Sequence, residues 1–197
     1  MGGRLAGALK NKVNYFGTDP NYLLVDKLKE FAKDYQKINW TKSGVDIRCQ
    51  GSEKFIPEWE GKIGLAFSSP PYFLLEDYKI GDQSYKSGIT TYDMWLNDYL
   101  KPTMQNIYKY LTIDGYFVIN IKDFDKYALE KDTVRIAQEC GFELYKIEEL
   151  SQSTRVSGNV ANSETQLVDV DESVYVFIKQ GVTPKECHPV QLSLFDM

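Results

Sequence analysis

Ser69-Pro70-Pro71-Tyr72 is the run of residues in this sequence best suited to chemistry. Two consecutive prolines remove two amide donors and fix two φ angles, so the carbonyls of Ser69 and Pro70 have no regular ladder partner and point in fixed directions. Such oxygens make a rigid acceptor site for a planar amino group. The exocyclic amine of a nucleobase is a poor nucleophile because its lone pair is delocalised into the ring. Acceptors that hold both of its N–H groups draw it toward tetrahedral geometry and aim the lone pair at an electrophile. Tyr72 adds an aromatic face on which an extruded base can stack, worth about 1–3 kcal/mol per base and comparable with the cost of extrusion. The plainer alternative for the same residues is a stiff loop or a ligand for a proline-reading domain.

A second candidate lies in Gly17-Thr18-Asp19-Pro20-Asn21. In an open α/β sheet ligands bind at the carboxyl ends of the strands, where a carboxylate such as Asp19 can accept hydrogen bonds from both hydroxyls of a ribose. The competing reading makes Asp19 the N-cap of the helix that follows.

These residues need a scaffold, and the pattern supplies one. Residues 13–17 form a short β-favouring run, and Pro20 suits the first turn of a helix. Leu23, Leu24, Leu28 and Phe31 recur at helical spacing over 21–36. Strands are predicted at 45–49 and at 62–67. The second of these is nearly all apolar, as expected of a strand buried on both faces, and leads straight into Ser68-Ser69-Pro70-Pro71-Tyr72. A helical pattern over 92–111 must tolerate Pro102 as a kink or a break. A strand at 115–121, a helix at 129–139 and strands at 142–147 and 172–179 complete an alternating α/β pattern. The Ser-, Thr- and Asn-rich stretch 151–171 reads as a long functional loop.

With 197 residues the chain suits one domain plus a tail, and 43% hydrophobic and 26% charged residues exclude a disordered chain. The net charge of −5 argues against wholesale coating of nucleic acid. Residues 1–42, however, carry eight Lys and Arg against four acidic residues, so one end can face phosphate. Three scattered cysteines and a single histidine leave Cys187 and His188 as a lone soft pair, too few for a tetrahedral metal site. No apolar run reaches the roughly 18–20 residues of a membrane helix, and the N-terminus lacks a signal peptide's apolar stretch, which predicts a cytoplasmic protein.

Phe67-Ser68-Ser69-Pro70-Pro71-Tyr72, together with the upstream Gly-Thr-Asp-Pro-Asn and the downstream Asp114-Gly-Tyr-Phe-Val-Ile-Asn, resembles the S-adenosylmethionine-dependent amino-methyltransferases that modify adenine N6 or cytosine N4 in DNA. The resemblance spans roughly residues 1–180. It implies a Rossmann-like methyltransferase sheet with helices on both faces and an antiparallel last strand. It makes Ser69, Pro70, Pro71 and Tyr72 the catalytic tetrapeptide, Asp19 the ribose ligand, Ser52 or Glu53 the contact to the cofactor's adenine, and Ser68 a neighbour of the methionine part. It also implies a first strand and glycine-rich turn immediately ahead of residue 1, with Gly2 and Gly3 as the tail of that turn. That strand belongs at the sheet centre beside the one bearing the tetrapeptide.

Residues 181–197 form the expected tail. Its Gln191-Leu192-Ser193-Leu194-Phe195 resembles the short peptide by which bacterial polymerases and repair proteins dock on the sliding clamp, with Gln191 fixing backbone and Leu192, Leu194 and Phe195 supplying apolar contacts. Val190, Leu192 and Leu194 also alternate as a terminal strand would. The expected activity is methyl transfer to a base amine in DNA, adenine before cytosine. RNA or a protein amide as the acceptor, or a non-catalytic module that binds a clamp or partner chain, are the alternatives.

Overall fold

In the computed structural model, which describes residues 2–40, 42–71, 73, 88–152 and 170–181, the chain opens with α1 (Gly2–Lys10). A glycine pair is a poor helix start, but Leu5 and Leu9 lie on one face and bury completely against Val25, Leu28 and Ala32. Packing therefore overrides propensity, and Gly2 and Gly3 form the first helical turn rather than the end of a loop. β1 (Tyr15–Thr18) leads into α2 (Tyr22–Asn39). The cap of α2 is Asn21, whose side chain accepts from the Leu24 N–H; Asp19 is not the cap.

β2 (Val45–Arg48) lies parallel to β1, with Tyr15 opposite Val45 and Thr18 opposite Arg48. A 3-10 turn at Pro57–Trp59 precedes β3 (Ile63–Ser68). The helical stretch predicted over 92–111 is resolved into α3 (Tyr92–Met94), a π-helical segment Trp95–Leu100 and α4 (Lys101–Tyr110). Pro102 explains the break. Its ring would clash with the carbonyl four residues back, and the wider π turn, in which the Lys101 N–H bonds Leu96 O, removes that clash and lets Pro102 enter the first turn of α4.

β4 (Leu111–Ile121), α5 (Leu129–Glu139), β5 (Glu143–Gln152) and β6 (Val170–Ile178) follow. β3 pairs with β4 in parallel, and β6 lies antiparallel between β4 and β5, giving the order β3-β4-β6-β5. α4 and α5 cover one face through Met104, Leu129, Ile136 and Ala137, which pack with Phe117, Ile119, Ile121 and Phe177. Alternation turns Leu65 and Phe67 to the other face, where the Arg4 guanidinium of α1 lies 4.3 Å from the Phe67 ring centroid. The start of α1 thus touches that face at Phe67.

The sheet is in two pieces. Among the described residues β1 pairs only with β2 and β3 only with β4, so each keeps one open edge. Leu65 is 63% and Phe67 46% exposed on β3, the reverse of the buried strand its apolar sequence predicts. Trp59 joins the pieces. It packs on Phe16 of β1, edge to face at 5.4 Å, and on Tyr110, and its Nε1 donates to Asp46 of β2 at 2.8 Å.

Candidate active site

Asp19 follows β1 directly, and its N–H bonds Arg48 O at 3.2 Å, so it stands beside the carboxyl end of β2 as well. One carboxylate oxygen accepts the Asn21 N–H at 2.8 Å; the other has no hydrogen-bond partner among the described residues. A local turn thus fixes the carboxylate and leaves an acceptor for a ligand hydroxyl. Tyr15 runs its ring along the strand toward this end, lying 2.8 Å from where a Cβ on Gly17 would stand. Burial pushes the Tyr15 phenol up, Arg4 opposes that shift and Asp19 adds to it, which links the three groups electrostatically.

Past β2 the chain makes a turn in which Lys54 N bonds Gly51 O at 3.3 Å, placing Ser52 and Glu53 at its two central positions. The Glu53 carboxylate folds back over Gly51 and leaves no room for a Cβ there. Three side chains of α4 reach this segment from more than fifty residues away. Thr103 shares a hydrogen bond with the Ser52 hydroxyl at 2.9 Å, Asn106 donates to Ser52 O at 2.9 Å, and the Tyr110 hydroxyl accepts the Ile56 N–H at 2.7 Å. The sequence reading passed over these residues. Their spacing of three and four, which puts Thr103, Asn106 and Tyr110 on one helical face, was the available signal.

Ser68 ends β3, opposite Ile119. Ser69 is exposed, Pro70 buried and Pro71 half-buried. Among the described residues no hydrogen bond is made to the carbonyls of Ser69 or Pro70. Tyr72 lies outside the described residues, but its neighbour Phe73 is 2% exposed. Phe73 meets Tyr127 edge to face at 5.2 Å and Tyr92 at 5.8 Å, and Tyr92 stacks on Trp95. The Tyr92 hydroxyl donates to Asp132 at 2.9 Å; burial pushes its phenol up and Asp132 adds to the shift. Asp123 and Glu130 exchange backbone-to-carboxylate bonds, and Glu130 also accepts from Tyr175, which holds the β4–α5 loop that carries Tyr127.

Gly2 and Gly3 are exposed at the start of α1, with no atom within 4 Å of where a Cβ would stand on either. Packing within the described chain therefore does not require glycine there. The structure places Asp19 beside Arg48 at the end of β2, the strand that leads into the Ser52–Glu53 turn, and brings the start of α1 to β3 through Arg4 and Phe67. Gln191, Leu192, Leu194 and Phe195 lie outside the described residues, as do 74–87 and most of 151–171.

No family model matches the chain, and no curated protein matches it. Among solved structures it is similar to a Thermus thermophilus protein described as a candidate DNA modification methylase, at 20% identity and TM-score 0.43, over 67% of this chain. The chain spans about half the length of that protein, 50%. An S-adenosylmethionine-dependent methyltransferase of Methanosarcina mazei matches at 11% identity and TM-score 0.52, over 89% of this chain and 86% of that one. The geranyl diphosphate C-methyltransferase of Streptomyces coelicolor A3(2) matches at 9% identity and TM-score 0.57, over 90% and 67%. The last two likenesses establish a fold: this chain has the Rossmann-like α/β architecture found in S-adenosylmethionine-dependent methyltransferases.

Proposed function

We propose that the chain carries the methyltransferase domain, residues 1–180, of an enzyme that methylates the exocyclic amino group of a flipped base in DNA, adenine N6 in preference to cytosine N4. One observation supports this reading above the others: the carbonyls of Ser69 and Pro70, which no described residue engages, stand just past the end of a strand, in a fold whose ligands gather at strand ends. The residues present fit S-adenosylmethionine. Asp19 keeps one carboxylate oxygen open for a ribose hydroxyl, the Ser52–Glu53 turn adjoins it for the adenine, and the space around Gly2 and Gly3 lets main chain approach the methionine part near Ser68.

When bound, that cofactor supplies a methyl group made electrophilic by its sulfonium. The work of the chain is to hold the acceptor. Ser69 O and Pro70 O accept hydrogen bonds from both amine N–H groups and orient the nitrogen lone pair, and Tyr72 stacks the base; Phe73, next in the chain, is buried against Tyr92 and Tyr127. No covalent nucleophile is needed, because the amine itself attacks. Radiolabelled methyl transfer compared across DNA, RNA and protein tests the substrate class. Label in DNA alone is expected, and Tyr72→Ala should lower kcat/KM by about 5–150-fold, the equivalent of one lost stacking contact of about 1–3 kcal/mol. Label confined to RNA or protein, or full activity of Tyr72→Ala, overturns it.

The tail 181–197 is proposed to dock on a bacterial sliding clamp through Gln191, Leu192, Leu194 and Phe195. An alanine pair at Leu194 and Phe195 that leaves clamp binding intact removes the idea.

A further inference from the structure

We infer that Thr103, Asn106 and Tyr110 form a positioning face on α4 that sets the nucleobase specificity of the site, by holding the turn that carries Ser52 and Glu53. The inference rests on the proposed binding of an adenosyl ligand beside Asp19. Its independent support is the geometry between α4 and the turn. The three side chains are 3%, 6% and 6% exposed, and each spends a polar group on the 52–56 segment. Buried hydroxyls and amides are costly unless bonded, so these partners are obligatory for the packed helix. Within the turn Lys54 N bonds Gly51 O at 3.3 Å, a long contact, and the Gln50 side chain donates to Lys54 O.

The three contacts act at different points. Asn106 fixes the Ser52 carbonyl and therefore the orientation of the Ser52–Glu53 peptide. Thr103 fixes the Ser52 rotamer. Tyr110 pins the exit of the segment at Ile56 and stacks on Phe55 at 5.5 Å, and the Lys109 ammonium lies 4.8 Å from the Phe55 centroid. A carboxylate held in place accepts hydrogen bonds from an adenine amino group and repels the carbonyl oxygen that hypoxanthine carries at the same position. Held loosely, it discriminates less. The α4 face therefore acts on the choice of base through Ser52 and Glu53, without touching the ligand.

Calorimetry with S-adenosylhomocysteine and its inosine counterpart, on the full chain, reads this directly. The unmodified chain should prefer the adenine form. Thr103→Val and Asn106→Leu, which keep volume and lose the polar group, should each weaken the adenine form about tenfold while leaving the inosine form within about twofold, so that the preference collapses. Thr103→Ser should restore it. Ser52→Ala, made from the turn side where helix packing is untouched, should reproduce the Thr103→Val loss even if a helix variant fails to fold. Asp19→Ala should weaken both ligands equally. A merely structural role predicts a lowered Tm with equal losses for both ligands, and that result overturns the inference while leaving the adenosyl site standing. Failure of the unmodified chain to bind either ligand overturns the adenosyl reading and this inference with it.

Discussion

Asp46 has two partners that pull its carboxyl the same way. Arg48 donates to both oxygens, at 2.6 and 3.0 Å, and Trp59 Nε1 donates at 2.8 Å. The bond from Arg48, with a smaller one from Trp59, holds the Asp46 pKa below its ordinary 3.8 despite some burial. A depressed folded value means the contribution is present above the unfolded pKa and is lost as pH falls through the folded one. Asp46→Asn should therefore lower stability at neutral pH by about 0.5–1 kcal/mol, a modest figure because the side chains of Arg48 and Asp46 are 42% and 33% exposed. Urea unfolding from pH 7 downward should show the difference closing below about pH 4; a constant difference would place the effect elsewhere. Sequence could not expose this contact, since Trp59 and Asp46 meet only after a loop returns the chain. Asp19 is the opposite case: its Asx turn with Asn21 is local, and the strand-end carboxylate was legible from five consecutive residues.

At the scale of elements, α2 ends on Trp40, with φ 53° in the left-handed region and 90% of its surface exposed. A bulky residue there costs about 1–2 kcal/mol that glycine avoids, and so exposed a ring returns little burial. Trp40→Gly should raise stability by about 0.5–1 kcal/mol after the extra chain entropy of glycine is allowed for, read as a higher urea midpoint at unchanged m-value. A fall would mean that Trp40 makes a contact of its own. The helix over 92–111 shows where periodicity stops being informative. Trp95, Leu96, Tyr99, Met104 and Ile107 mark a helix, and Pro102 marks its disturbance, but a kink, a break and a π turn satisfy the same spacing. α1 was hidden for another reason: Gly2 and Gly3 suppress local helix propensity, and only Leu5 and Leu9 docking on α2 offsets it.

For the whole molecule the open edges of β1 and β3 dominate. Among the described residues each has main-chain groups without a strand partner, and β3 adds exposed Leu65 and Phe67. Such an edge templates pairing with other chains. This chain should therefore associate with rising concentration, and Leu65→Lys should shift it toward monomer in sedimentation runs. If Leu65→Lys leaves association unchanged, the edge of β3 is shielded by something else. From residues alone came the alternation of strands and helices, the diproline corner at the end of the third of these strands and the carboxylate at the end of the first, because each depends on periodicity or on steric limits within a few residues. Tertiary structure alone decided the α4 face behind Ser52 and the aromatic seat of Phe73. Those depend on groups distant in sequence meeting across a packed core, and no local spacing encodes which distant partner a buried group will find.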